Sequence, residues 1–334
     1  AAYDNSTSAS NTDAINSRLL GGRVVSVDSK GVEDATFLSI SYSTSTNSDD
    51  SSILQKITGK ASMVDNGIYA IMGPSGAGKT TLLDVLAGRK ENGKVGGVLL
   101  VDGLTYPTMS SRRRAFGYVL QDDSSLPSFL TVKEAIQFSA DLRLPSNLTQ
   151  SARDAKVDKV ISQLGLSKVR NSYIGEIGST GISGGERRRV SIGMELVVEP
   201  KVLLLDEPTS GLDASAALQV VNVLTELVKR RECLVISTIH QPRPDIYSSF
   251  GRVLMLCNGF VVYEGPPLDV VEYLGTFGHS CPSNINVADF ALDATPRLDK
   301  TAVQDYYHNY VEKMRENLTR IYNSNKMTPD QFSL

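Results

Sequence analysis

Three glycines, a lysine and a closing threonine fall within Gly73-Pro74-Ser75-Gly76-Ala77-Gly78-Lys79-Thr80. This spacing fits the P-loop pattern, in which glycines let the backbone curl until successive N–H groups point inward at phosphate oxygens. A helix starting there adds the positive end of its dipole. Lys79 would neutralise the outer phosphates, and the Thr80 hydroxyl is an oxygen donor of the kind magnesium takes. A Gly-rich turn that binds nothing is the alternative reading. The apolar run Ile68 to Met72 before the motif and the helical pattern from Thr81 to Ala87 after it supply the strand-to-helix setting a nucleotide site requires.

A second group lies at Val202-Leu203-Leu204-Leu205-Asp206-Glu207-Pro208. Four apolar residues make a buried strand, which delivers two carboxylates at its C-terminal end, the edge where open α/β sheets bind ligands. Asp206 would hold magnesium and Glu207 would orient or deprotonate an attacking water. A third group, Ile182-Ser183-Gly184-Gly185-Glu186, opens the helical pattern from Arg187 to Val198, again with exposed N–H groups and a short hydroxyl at a helix start. Two phosphate cradles about a hundred residues apart suggest that the second closes over the nucleotide of another subunit.

The elements that must position these groups are legible in outline. Short apolar strands at Ile68 to Met72, Val98 to Val101, Val202 to Leu205, Leu234 to Ile236 and Val253 to Leu256 alternate with helical periods, which argues for a parallel sheet covered by helices. Alternation over Ala35 to Tyr42 predicts a further strand, and the all-polar run from Ser43 to Ser52 a flexible loop. Between the strands Val98 to Val101 and Val202 to Leu205, Thr131 to Gly165 reads as two helices, the first opened by the capping-box spacing Thr131-Val132-Lys133-Glu134. A short helix over Leu268 to Leu274 and a charged helical pattern from Leu298 to about Tyr322 follow. The first 20 residues contain nine Ser, Thr or Asn and predict a loosely held arm.

Composition restricts the class of function. Among 334 residues, 41% are hydrophobic and 21% charged, as in a globular protein, so a wholly disordered or collagen-like chain is excluded. Lys and Arg number 34 against 37 Asp and Glu, and a net charge of −3 lacks the basic excess of a nucleic-acid binder. No uncharged apolar stretch approaches 18 residues, and residues 1 to 20 lack the apolar core of a secretion signal. Three cysteines, Cys233, Cys257 and Cys281, are too few and too scattered for a disulfide framework and suit a reducing compartment. The Asn-x-Thr matches at Asn5, Asn147 and Asn317 are read as chance.

The Ser183 to Glu186 element, placed just upstream of the Asp206 strand, resembles the signature motif of the ABC ATPase family. Other positions match that family in order. Gln121 resembles its Q-loop glutamine, a contact to magnesium and link to the membrane partner. Ser210-Gly211-Leu212-Asp213 is similar to its D-loop, and His240 to its switch histidine at the γ-phosphate. Tyr42 is either the aromatic that stacks on adenine or a packing residue of its strand. Gly184 to Leu196, Ile239-His240-Gln241-Pro242-Arg243 and Asn286-Val287-Ala288-Asp289-Phe290 resemble the G subfamily of White, sterol and multidrug half-transporters. Val287 stands where that subfamily has proline, which puts the local turn in question. Arg187 to Arg189 read either as a basic patch near phosphates or lipid headgroups, or as a solvated helix face with one inward residue.

The resemblance implies an α/β fold: a P-loop NTPase (RecA-like) core with an antiparallel β subdomain and an inserted α-helical subdomain at about residues 128–192. It divides the chain into a flexible arm (1–33), an ABC ATPase domain (34–275) and an extension (276–334) leading toward a membrane domain. It implies catalytic roles for Glu207, His240 and Gln121. Nucleotide contacts would come from Gly73, Pro74, Ser75, Gly76, Ala77, Gly78, Lys79, Thr80, Thr81, Tyr42, Ser183, Gly184, Gly185, Glu186 and Asp213. Magnesium ligands would be Thr80, Gln121 and Asp206. ATP and Mg²⁺ are the expected cofactors. The expected partners are a second nucleotide-binding domain and the transmembrane domain of the parent chain, with no nucleic acid, at the cytosolic face of a membrane. The rival is a soluble ABC ATPase acting on ribosomes or DNA. Its usual marks, paired domains in one chain or a long coiled coil between P-loop and signature, are absent from this sequence.

Overall fold

The computed structural model describes residues 33–44, 52–90, 92–106, 108–176, 181–308 and 310–312, all within one structural unit, residues 32–334. The N-terminal arm, apart from its last residue, most of the polar run from Ser43 to Ser52 and the end of the charged helical pattern lie outside the described residues.

In chain order the strands are β1 (Asp34–Ser43), β2 (Ser52–Ser62), β3 (Ile68–Met72), β4 (Lys94–Val101), β5 (Leu104–Thr105), β6 (Phe116–Val119), β7 (Val202–Leu205), β8 (Leu234–Thr238), β9 (Phe250–Cys257) and β10 (Phe260–Gly265). The principal helices are α1 (Lys79–Leu86), α2 (Met109–Ala115), α3 (Val132–Arg143), α4 (Gln150–Gln163), α5 (Gly184–Leu196), α6 (Ala214–Lys229), α7 (Pro244–Tyr247), α8 (Asp269–Thr276) and α9 (Val287–Ala294). Residues 300–308 are helical as well. Among the described residues no helix is long and apolar enough to cross a membrane.

Two sheets form. The larger runs β10-β9-β3-β8-β7-β6, and β3, β6, β7, β8 and β9 are mutually parallel. Every residue of β3, β7 and β8 is buried. Strands buried on both faces read as near-continuous apolar runs, which is why Val202 to Leu205 shows no alternation. The smaller sheet runs β2-β1-β4-β5 with antiparallel pairing. This corrects the placement of Val98 to Val101. That run belongs to β4 and pairs antiparallel with β1, Ala35 opposite Val101. Its first five residues, Lys94 to Val98, are exposed or partly exposed, which distinguishes it from the fully buried strands.

Helices α3 and α4 occupy the chain between β6 and β7, with α3 packed on α4 and α5, and α5 on α6. The expected capping box is present: the Thr131 hydroxyl accepts from the Glu134 N–H while the Glu134 carboxylate accepts from the Thr131 N–H. Asn286 caps α9 by accepting from the Ala288 N–H, and its side-chain amide donates to the Pro242 carbonyl. Helix α9 begins at Val287, so the helix start survives without proline at its first position.

The helical residues 300–308 and 310–312 dock where β2 meets β10. The Tyr307 hydroxyl accepts from the Thr58 N–H at 2.9 Å and donates to the Thr58 carbonyl. The Tyr310 hydroxyl donates to Glu264, whose side chain is fully buried. Glu264 also accepts from the Lys60 N–H and the Tyr69 hydroxyl and pairs with Arg252 at 3.4 Å. One carboxylate thereby gathers β2, β3, β9, β10 and the C-terminal helix.

Candidate nucleotide site

The C-terminal ends of β3, β6, β7 and β8 lie along one edge of the larger sheet, and each carries one of the groups singled out from the sequence. From β3 the chain passes through Gly73 to Gly78 into α1. A Cβ on Gly73 would sit 2.1 Å from the Leu256 carbonyl oxygen, and Gly78 adopts φ +101°, so neither position accepts a side chain without distortion. Gly78 is the N-cap of α1 and supplies no side-chain acceptor. The N–H groups of the first turn are thereby left for an external anion. Lys79 is buried, and its Nζ donates to the carbonyls of Gly73 at 2.9 Å and Pro74 at 3.1 Å. Burial lowers its pKa, opposed by the nearby charges of Glu207 and Asp206. Ser75, Gly76 and Thr80 are exposed, Pro74 and Thr81 partly so, and Ala77 is buried.

Beyond β7 the two acids are held by separate partners. Asp206 is buried, and its Oδ1 accepts from Thr80 Oγ1 at 3.1 Å and Thr238 Oγ1 at 2.7 Å. Glu207 takes the left-handed backbone, φ +45°, and its N–H donates to Thr238 Oγ1 at 2.8 Å. Gln121, just past β6, donates from Nε2 to Glu207 Oε2 at 2.9 Å. His240 is exposed two residues past the end of β8, behind Ile239, whose N–H donates to the Ile71 carbonyl on β3. Lys79, Thr80, Gln121, Asp206, Glu207 and His240 therefore share one sheet edge. Thr80 and Asp206 pair a hydroxyl with a carboxylate, the hard oxygen set that suits a small divalent cation bound together with phosphate.

The Ser183 element occupies a different setting. Ser183 is the exposed N-cap of α5, and its hydroxyl is engaged in a capping box with Glu186: it accepts the Glu186 N–H at 3.3 Å and donates to Oε2 at 2.8 Å. Ser-x-x-Glu spacing carries that signal in the sequence. Gly185 is buried, and a Cβ there would meet Ala216 Cβ at 2.8 Å, so its lack of a side chain lets α5 approach α6. Gly184 is exposed. Asp213 caps α6, accepting from the N–H groups of Ser215 and Ala216.

Two expectations require correction. Tyr42 is buried in β1, with its hydroxyl donating to the Asn92 carbonyl at 2.6 Å, so the ring packs inside the antiparallel sheet and offers no free face to a base. Arg187, Arg188 and Arg189 form neither a basic patch nor a solvated face, because all three are buried. Arg187 donates to the carbonyls of Ile174 and Gly175, and Arg189 to Gln219 Oε1. Arg188 donates to the carbonyls of Leu120, at 2.6 Å, and Gln121, and pairs with Asp123 at 3.2 Å. Asp123 also accepts from the Ser191 hydroxyl at 2.8 Å. Burial lowers the pKa of Arg188 and raises that of Asp123, so only their pairing and these hydrogen bonds make the buried charges tolerable. Through Arg188, helix α5 grips the backbone of the residue that touches Glu207.

Sequence reasoning missed Thr238 and the clamp of Arg188, Asp123 and Ser191. A hydroxyl ending an apolar strand two residues before a histidine was the available signal for the first. For the second, three consecutive arginines directly after a helix start gave no indication of which way each points.

A family model described as ABC transporter matches residues 60–210. The chain is 36% identical over 304 residues to ABC transporter G family member 22 of Dictyostelium discoideum, covering 90% of this chain and 48% of that relative. It is 45% identical over 264 residues to a probable ATP-dependent permease of Saccharomyces cerevisiae, covering 78% of this chain and 25% of the permease. Against the Broad substrate specificity ATP-binding cassette transporter ABCG2 of Rattus norvegicus it is 40% identical over 283 residues, 81% of this chain and 42% of the relative. The chain thus spans from a quarter to about half the length of these curated relatives.

Proposed function

Because the chain carries an ABC transporter domain and is similar to G-family members over most of its length, we propose that it is the ATP-hydrolysing part of a G-family transporter, driving export of a lipid, sterol or xenobiotic. The observation that carries the reading is the interlock of Thr80, Asp206, Glu207 and Gln121 at the edge that also presents the uncapped start of α1. In this reading β3 and β6 to β9 form a RecA-like core, β1, β2, β4 and β5 an antiparallel subdomain, and α3 and α4 the inserted helical subdomain. Residues 276–334 lead toward a membrane domain, with the chain at the cytosolic face.

The nucleotide's phosphates would lie against the backbone of residues 73–81, with Lys79 releasing the Gly73 and Pro74 carbonyls to meet them. Mg²⁺, when bound, would supply charge neutralisation at the phosphates, held by Thr80, Asp206 and Gln121. Glu207 would take a proton from the attacking water, and His240 would donate a hydrogen bond to the terminal phosphate. Two copies, or this domain and a partner's, would close head to tail, so that Ser183, Gly184, Gly185 and Glu186 of one face the nucleotide of the other. Closure excludes water and completes the site. The relatives named as transporters favour this over a ribosome- or DNA-acting ATPase.

Phosphate release from Mg-ATP, measured as protein concentration rises, tests the proposal. Specific activity should climb steeply with concentration. Turnover that is absent at every concentration, or that survives loss of both Asp206 and Glu207, would overturn it.

A further inference from the structure

We propose that Thr238 is a positioning residue for the hydrolytic site, one hydroxyl that sets the rotation of the Asp206 carboxylate and the backbone direction of Glu207 together. The inference rests on the proposed ATPase reading and adds a residue to it.

The placement follows from strand register. Strands β7 and β8 are parallel, with Leu205 opposite Ser237, so the residues that follow these, Asp206 just past β7 and Thr238 at the end of β8, come side by side at the sheet edge. Thr238 is fully buried. Its hydroxyl has one proton to give and lone pairs to accept with. The proton goes to Asp206 Oδ1 at 2.7 Å, and the Glu207 N–H arrives at 2.8 Å. Asp206 Oδ1 accepts that proton, and Thr80 donates to the same oxygen. Glu207 sits in the left-handed region, at φ +45°, which a residue with a long side chain holds only when its surroundings fix it. The hydrogen bond from its N–H to Thr238 is one such constraint, and the bond from Gln121 to its carboxylate is a second.

Strand β8 is also pinned on its other side, where the Ile239 N–H donates to Ile71 of β3, the strand that feeds the P-loop. Thr238 and Ile239 together tie the phosphate-binding strand to the acid-bearing strand, one residue short of His240. Loss of the hydroxyl would leave every side chain of the site present but would free the Asp206 carboxylate and the Glu207 backbone to turn.

The test compares Thr238→Val, which keeps the shape and removes the hydroxyl, with Thr238→Ser, which keeps the hydroxyl. Three readings are taken on the 334-residue chain: ATP turnover, binding of a fluorescent ATP analogue with and without Mg²⁺, and amide hydrogen exchange over residues 203–210. Misplacing reacting groups by an ångström costs on the order of a hundredfold, so Thr238→Val should lower kcat by roughly that factor. Analogue binding without Mg²⁺ should stay within about twofold of wild type, because the P-loop contacts are untouched. Exchange at Glu207 should accelerate, and Thr238→Ser should restore both turnover and protection. Wild-type turnover in Thr238→Val, or a Thr238→Ser variant as impaired as valine, overturns the inference. Should Thr238→Val not fold, Thr238→Ala is read by the same criteria. A wild-type chain without turnover would instead overturn the ATPase reading, and the Glu207 exchange result alone would then decide the role of Thr238.

Discussion

Gln121 and Glu207 lie 86 positions apart in the chain and share a 2.9 Å hydrogen bond, the amide Nε2 donating to the carboxylate Oε2. The carbonyl of the same Gln121 is gripped by Arg188 from helix α5. A residue beside the capped Ser183 turn is thus two contacts away from the carboxylate assigned to the attacking water.

Glu207→Gln keeps the shape of the side chain and an oxygen for Gln121 but cannot take up a proton at neutral pH. Nucleotide binding should persist, turnover should fall at least about a hundredfold, and ATP-dependent dimers should accumulate. Phosphate release and size-exclusion chromatography in Mg-ATP check it, and wild-type turnover in the variant would remove Glu207 from its role.

Ser183 separates the two sides of the proposed sandwich. Its substitution by alanine should reduce turnover more than it reduces ATP affinity of the isolated chain, because Ser183 caps α5, apart from the proposed phosphate-binding residues 73–81. Equal loss of both, measured by titration and steady-state kinetics, would place Ser183 in the binding site of its own chain.

Arg188→Met should destabilise the fold by roughly 3–5 kcal/mol, the usual cost of leaving one partner of a buried ion pair alone. Asp123 loses its cation and the carbonyls of Leu120 and Gln121 lose their donor. Denaturant unfolding measures the loss. Replacing Asp123 by asparagine in the same chain should recover part of it, and strict additivity of the two changes would argue against the pair.

Glu264 gives a pH dependence with a definite sign. Burial raises its pKa above the ordinary 4.5, opposed by Arg252 and by hydrogen bonds from Tyr310, the Lys60 N–H and Tyr69. A carboxyl whose folded value lies above its unfolded one contributes stability that is whole below the unfolded value and is lost as pH rises through the folded value. The melting temperature of the wild type, measured relative to Glu264→Gln, should therefore fall as pH is raised from about 4 toward neutrality. A rise over that window would show that Arg252 outweighs burial.

The thiols make a simpler test. Cys233 is buried and its pKa is pushed up to about 12, mainly by burial, and burial also raises that of Cys257. Cys281 is partly exposed. Alkylation of the native protein at pH 8 followed by peptide mapping should label Cys281 first, with the other two reacting only at the rate of unfolding. Fast labelling of Cys233 would contradict the packing of β8.

Several elements, and the residues expected to carry phosphate and acid chemistry, were legible in the sequence because their signals are local. Val202 to Leu205 reads as a buried strand from four consecutive apolar residues, and the glycines, Lys79 and Thr80 carry their phosphate chemistry within eight positions. Thr131 to Glu134 and the two helices after it were legible for the same reason, since a capping box and a helical period are properties of neighbours in the chain.

Which face each residue presents, and what meets it from far along the chain, depends on long-range packing that neighbours in sequence do not encode. Periodicity could not tell that Arg187, Arg188 and Arg189 all turn inward, since burial of a charge depends on acceptors supplied by residues 174–175, 120–123 and 219. Nor could it place Val98 to Val101 in the antiparallel sheet, because an apolar run does not name its partner strand. The same holds for Thr238. A threonine at a strand end is ordinary until the parallel register sets it beside Asp206, and that register is fixed by packing of the whole sheet.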